Sequence, residues 1–247
     1  MSKNRKLTKV SQNPRYSKSA EEQQPLNNVV KMGNRQFKRV EMIPRNTAQE
    51  DFIEALENNR MIFGIGPAGC GKTMFAALYA IQQLKLNNIK KIVITRPAVS
   101  VDEELGALPG TLIEKLAPYV RPIIDVFEEY YSKEEIIRMM ETGVLECCPL
   151  SFIRGRTFKQ SIVIVDEAQS TTANQLKAAL SRIGDGSKMI ITGDLRQADY
   201  GRNGLSDFLE KYGDRQVEDI EIVKFSHAHI ERDPLISAIL DVYGDAD

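Results

Sequence analysis

The sequence predicts an α/β domain built on a mostly parallel β-sheet with helices on both faces, and three observations carry that prediction. A short apolar run, Met61 to Ile65, leads straight into a glycine-rich loop and then a segment with helical spacing. Further short apolar runs alternate with helical stretches over residues 89–225. One of those runs, Ile162 to Val165, ends on the adjacent carboxylates Asp166 and Glu167. Continuous rather than alternating apolar runs are what strands buried on both faces require.

The elements follow in order. Asn46 or Thr47 is the expected cap of a short amphipathic helix over Thr47 to Asn58, with Ala48, Phe52, Ile53, Ala55 and Leu56 as its apolar side. Met61 to Ile65 is the first strand. Met74 to Leu86 contains no Gly or Pro and sets Phe75, Leu78 and Ile81 at helical spacing. Ile89 to Thr95 is β-branched and stops at Arg96-Pro97, where proline has no N–H for a ladder. Between residues 97 and 150, Gly106, Pro109, Gly110, Pro118 and Pro122 interrupt the pattern. Helices are expected afterwards at Ile123 to Tyr131 and Glu134 to Met140, making this a mainly helical insertion whose apolar residues pack. Strands are expected at Val144 to Cys147, Ser161 to Val165 and Lys188 to Thr192. Helices fall at about Thr172 to Ile183 and Leu205 to Tyr212, a last strand at Asp219 to Phe225 and a closing helix at Leu235 to Tyr243.

The 247 residues suffice for one sizeable domain, expected over 41–247, plus a tail. The net charge of −1 hides an asymmetry: residues 1–40 hold ten Lys and Arg against Glu21 and Glu22, so the head is about +8 and the remainder about −9. That head has few apolar residues and no sustained period, which reads as a disordered basic arm. Such an arm can bind phosphate backbones through counterion release; a solvated tail and a strap between subunits are the alternatives. Cys70, Cys147 and Cys148 cannot form a paired framework, and the vicinal pair lacks metal-ligand spacing, which fits a cytoplasmic location, that of the host if the source is viral. No apolar run approaches the ~20 residues that cross a bilayer, and the N-terminus lacks an apolar signal core, so no membrane partner is expected.

The chemistry concentrates at two places. Gly66-Pro67-Ala68-Gly69-Cys70-Gly71-Lys72-Thr73 fills every fixed position of the phosphate-cradling pattern G-x-x-x-x-G-K-[ST]. Small residues let successive N–H groups converge on a phosphate, and the helix that follows aims the positive end of its dipole at the same anion. Lys72 is expected on the β- and γ-phosphates of a nucleoside triphosphate and Thr73 on Mg²⁺. Asp166 lies at the carboxyl end of a strand, where ligands gather in parallel sheets, and is expected to hold Mg²⁺ through a water. Glu167 beside it is the candidate acceptor for the proton of an attacking water. Thr192 or Asp194 is a candidate to orient that water and Gln197 to sense the γ-phosphate; a plain strand-end turn is the alternative.

These segments resemble a known family. The glycine loop, Thr95-Arg96-Pro97-Ala98-Val99, Leu108-Pro109-Gly110, Arg154-Gly155-Arg156-Thr157, Asp166-Glu167-Ala168-Gln169 and Thr192-Gly193-Asp194-Leu195-Arg196-Gln197 look, in that order, like the PhoH family of P-loop ATPases. The resemblance covers about residues 46 to 243 and extends to the first RecA-like domain of superfamily 1 helicases. It implies a RecA-like fold, ATP and Mg²⁺ as ligands, and ATP hydrolysis. Gln49 resembles the helicase glutamine that reads adenine, an exposed helix residue being the alternative. Thr95 to Val99 resembles a segment that contacts a nucleic-acid strand, although Pro97 also serves as a strand terminator.

The resemblance also bears on assembly. Arg154, Arg156, Arg196 and Arg232 are the candidates for an arginine on the γ-phosphate, and Arg232 resembles the one that opens the second helicase half. Asp233 stands where family members commonly carry histidine, and no role is assigned to it. No second RecA-like half is expected after Tyr243, so a neighbouring subunit is expected to supply the missing wall in a homo-oligomeric ring, a hexamer as the family implies. The expected function is an ATPase coupled to single-stranded nucleic acid, RNA favoured. The alternative is an ATP-dependent protein-interaction switch without helicase activity. Ribonuclease activity is not expected, because no acidic cluster able to hold a metal pair accompanies the arm.

Overall fold

The computed structural model describes residues 38–97, 112–197 and 203–230, with the backbone alone for 112–119 and His227. The basic arm up to residue 37, Ala98, Val99, the Leu108-Pro109-Gly110 motif, Arg232 and the stretch Leu235 to Tyr243 lie outside the described residues. Six strands, β1 (Met61–Ile65), β2 (Lys91–Arg96), β3 (Leu145–Pro149), β4 (Ser161–Val165), β5 (Lys188–Gly193) and β6 (Ile220–Lys224), form one sheet in the order β3-β2-β4-β5-β1-β6. Every pairing in it is parallel. Its helices are α1 (Thr47–Asn58), α2 (Lys72–Lys85), α3 (Leu112–Glu128), α4 (Lys133–Glu141), α5 (Ala173–Leu180) and α6 (Gly204–Tyr212). None of the described helices is long and apolar enough to cross a membrane.

All five residues of β4 are buried, as a central strand covered on both faces must be. On one face Phe63, Val93, Val163, Val165, Met189 and Ile191 pack with Leu176 of α5 and Leu205 of α6. The two-residue period of a strand sends Ile62, Ile92, Ile94, Ile162, Ile164 and Ile190 to the other face. There α2 lies across β2, β4 and β5 and buries Phe75, Ala76 and Ile81. Asn46 is the cap of α1: its side chain accepts the N–H of Gln49. Packing also begins earlier than residue 41, since Val40 is buried and Lys38 pairs with Glu129 and lies over the Tyr130 ring.

One expectation fails in an instructive way. Pro118 and Pro122 were expected to interrupt the chain before a helix at Ile123, yet α3 runs through both. Each proline removes a backbone N–H and costs a helix interior about 3 kcal/mol. Val120, Ile123, Ile124 and Phe127 recur at the spacing of one helical face and are all buried, and each such burial returns about 1.5–3 kcal/mol. The buried stripe outweighs the local penalty. After α3 and α4 the chain enters β3, which pairs with β2 as an edge of the same sheet. The expected helical insertion is therefore continuous with the core sheet.

The β3 edge is fixed by charge. Glu146 of β3 accepts from Arg156 through both carboxylate oxygens, at 2.5 and 2.8 Å, and pairs with Lys91 of β2 at 2.6 Å. The Arg156 hydrogen bonds, with those of Lys91, pull the Glu146 carboxyl down to about 2 against the desolvation that opposes them. A carboxyl held below its unfolded value contributes stability that is complete above about pH 4.5 and is lost as pH falls toward 2. Thermal melts of Glu146→Gln should therefore lose less stability than the wild type over that acid window and start lower at pH 7.

Candidate active site

The loop after β1 is shaped by backbone needs that only glycine meets. Gly66 passes so close to Phe225 that a Cβ would lie 2.5 Å from its carbonyl oxygen. Gly71 adopts the left-handed conformation at φ 83° and turns the chain into α2, whose N-terminus is thereby aimed into the loop. Lys72, the first residue of α2, is buried and folds back over the loop, donating to the carbonyls of Gly66 (2.7 Å) and Pro67 (2.6 Å). Burial lowers the pKa of its ammonium, while Cys70, Asp194, Glu167 and Asp166 oppose that shift.

Asp166 is the centre of the site. Only 2% exposed, it accepts the Thr73 hydroxyl (2.9 Å) and the Thr192 hydroxyl (2.5 Å) on Oδ1. Its Oδ2 accepts Nε (2.8 Å) and Nη2 (2.5 Å) of Arg96. Its own N–H donates to the Thr95 carbonyl at 3.0 Å. The sheet order explains this convergence: β5 lies between β1 and β4, and β2 lies on the other side of β4. Val165 is in register with Thr95 and Ile191, so the next residue of each strand, Arg96, Asp166 or Thr192, emerges at the same carboxyl edge.

Glu167 takes the left-handed backbone conformation, φ 56° and ψ 42°, which is rare for a side chain of this size and costs of order 1–3 kcal/mol. Two contacts hold it there: its carbonyl accepts from Ser170 N–H, and its Oε2 accepts from Gln169 Nε2 at 2.6 Å. Gln169 is buried and uses its Oε1 to accept the Asp194 N–H at 3.0 Å, so one amide links the carboxylate after β4 to the turn after β5. Asp194 is itself buried and accepts from Arg196 N–H.

The other expected residues fall as follows. Cys70 is fully buried. Gln49 is also buried rather than exposed; its Nε2 donates to the Cys70 carbonyl and its Oε1 accepts from Arg45 N–H, tying α1 to the loop. Gln197 is exposed at the end of a short turn after Asp194, to whose carbonyl its N–H donates. Arg154 is exposed, and Arg156 is engaged at the β3 edge. A groove of about 1090 Å³ runs beside β6 and meets the loop at Gly66 and Pro67, with Asp194, Arg196 and Ser226 also on its walls.

Arg96 and Gln169 join the candidate site through their hydrogen bonds to Asp166, Glu167 and the Asp194 backbone, although no pattern in the sequence singles them out. Both stand inside quoted motifs, and the signal for Arg96 was its place at the end of a strand, before the proline. The donor set fits the ligands implied for it: a hydroxyl and a carboxylate 2.9 Å apart are hard oxygen donors of the few-ligand kind magnesium uses together with phosphates.

A glycine loop at a helix start, with a threonine bonded to a strand-end aspartate on a parallel sheet, defines a P-loop nucleotide-binding domain. The family model described as PhoH-like protein matches residues 41–244, and the chain belongs to that family. It is 42% identical to a PhoH-like protein of Bacillus subtilis (strain 168) over 202 residues, 81% of this chain and 63% of that protein. It is 41% identical to a PhoH-like protein of Mycobacterium tuberculosis (strain ATCC 25618 / H37Rv) over 203 residues, 81% and 57% of the two chains. It is 38% identical to Protein PhoH of Escherichia coli (strain K12) over 213 residues, 82% and 58%. The chain thus spans about three-fifths of the length of these relatives. Among solved structures, the UvsW helicase from bacteriophage T4 aligns with 74% of this chain and 61% of its own at 17% identity and a TM-score of 0.46.

Proposed function

We propose that this chain binds ATP with Mg²⁺ and hydrolyses it, and that turnover is coupled to single-stranded nucleic acid, RNA favoured over DNA. The observation that carries the first part is the contact between Thr73 and Asp166, which joins the phosphate loop to the strand-end carboxylates. Residues 66–73 cradle the phosphates through backbone N–H groups, and Lys72 exchanges the Gly66 and Pro67 carbonyls for phosphate oxygens. Thr73, and Asp166 through a water, would hold the magnesium ion, which when bound supplies charge neutralisation on the phosphates. Glu167, held by Gln169, accepts the proton of the attacking water. Thr192 fixes Asp166, Gln197 is the proposed γ-phosphate sensor, and Gln49 acts on the nucleotide through its hold on Cys70.

Coupling to nucleic acid is supported by the basic head of residues 1–40; in the Thr95 to Val99 motif Thr95 and Pro97 are buried and Arg96 is bonded to Asp166, so that motif contributes only its family resemblance. A ring of identical subunits, hexameric by family resemblance, would bring Arg232 of one subunit to the γ-phosphate of the next.

Three measurements test these statements. Glu167→Gln should bind ATP as the wild type does and hydrolyse it at least about 100-fold more slowly, the loss expected of a missing general base; wild-type turnover would move the base elsewhere. Steady-state hydrolysis should rise on adding single-stranded RNA, less on adding DNA, and the gain should fade with salt. Turnover indifferent to both would favour the protein-interaction switch. Mixing Lys72→Ala with Arg232→Ala protein should restore part of the activity that each lacks, and no restoration at any ratio would remove the arginine in trans.

A further inference from the structure

The four bonds to Asp166 have a consequence for how the site is loaded. A carboxylate offers roughly four lone-pair positions, two on each oxygen. Thr73 and Thr192 take those of Oδ1, and Nε and Nη2 of Arg96 take those of Oδ2. Among the described residues the cation hydrogen-bonded to this buried charge is the guanidinium, with Lys72 turned onto the carbonyls of Gly66 and Pro67. Arg96 Nη2 also lies 3.7 Å from Glu167 Oε1. One arginine, its side chain 19% exposed, thus faces both carboxylates of the site.

We propose that Arg96 is a built-in stand-in for magnesium: it neutralises Asp166 while the nucleotide is absent, and it must release at least one bond to Oδ2 when the metal and nucleotide load. This rests on the nucleotide reading above. A buried carboxylate without a counter-charge is strongly destabilising, so the free protein needs the guanidinium. A guanidinium and a divalent ion on one carboxylate repel each other, so the same residue competes with the metal. Glu167 is the next carboxylate within reach of the released fork. Arg96 is on this reading a positioning residue that sets the metal concentration at which the site fills.

The test is the binding of a fluorescent ADP at graded free Mg²⁺ and in EDTA, alongside melting of the free protein with and without Mg²⁺, for wild type, Arg96→Gln and Arg96→Lys. Arg96→Gln should need about 5-fold less Mg²⁺ or lower for half-maximal tightening of ADP, the scale of ordinary coupling between ligands. Its affinity in EDTA should stay within about twofold of wild type, as expected when no metal enters the comparison. The free variant should melt lower than wild type, and millimolar Mg²⁺ alone should raise its melting temperature more than that of wild type. Arg96→Lys, which keeps the charge and loses the fork, should shift both readouts in the same direction by less, and it carries the test if Arg96→Gln does not fold. An unchanged or higher Mg²⁺ requirement in the variants, with normal ADP binding by wild type, would overturn the stand-in alone. Wild type that binds ADP under neither condition would overturn the nucleotide reading and the stand-in with it.

Discussion

A buried negative charge organises this molecule. Asp166 is almost completely removed from water, and a carboxylate in that position is tolerated only with a full set of donors and a compensating cation. Its donors come from three other elements: Thr73 from α2, Thr192 from the end of β5 and Arg96 from the end of β2. Satisfying one side chain therefore fixes the position of the phosphate loop, the neighbouring strand and the opposite strand relative to β4.

The sheet makes that convergence possible, because parallel strands deliver all their carboxyl ends to one edge. With β5 between β1 and β4, the glycine loop and the carboxylates stand one strand apart, and the Thr192 hydroxyl fills the space between them. Gln169 repeats the device one layer out, holding Glu167 and the Asp194 backbone with the two ends of a single amide. Glu167 needs such support, since its left-handed backbone is not self-sustaining.

What could be read from the residues was what depends on near neighbours. The strand Met61 to Ile65 and the strand Ser161 to Val165 have the bounds expected, because a short apolar run between turn residues has few alternatives. The glycine loop and Asp166-Glu167 were legible for the same reason. Arg96 was not, since its partner is 70 residues away and only the register of β2 against β4 brings them together. Gln49 resembles an adenine-reading glutamine, with an exposed helix residue as the alternative, whereas its burial depends on where α1 meets the loop. The prolines in α3 mislead because backbone preference is local, while the buried stripe that overrides it is defined by the rest of the domain.

The register of β1 also bears on the order in which the chain acquires its parts during synthesis. Met61 pairs with Met189 on one side and Ile220 on the other, so the strand that carries the phosphate loop has neither neighbour until the chain has grown more than 120 residues past it. Contacts between residues so distant in sequence close slowly and late. A nascent chain that stops before β5 has its glycine loop and both carboxylates in covalent order, yet lacks the strand between them and the Thr192 donor to Asp166. A chain arrested before β5 is made therefore presents an apolar β1 with neither of its strand neighbours, the kind of unpaired edge that quality control engages.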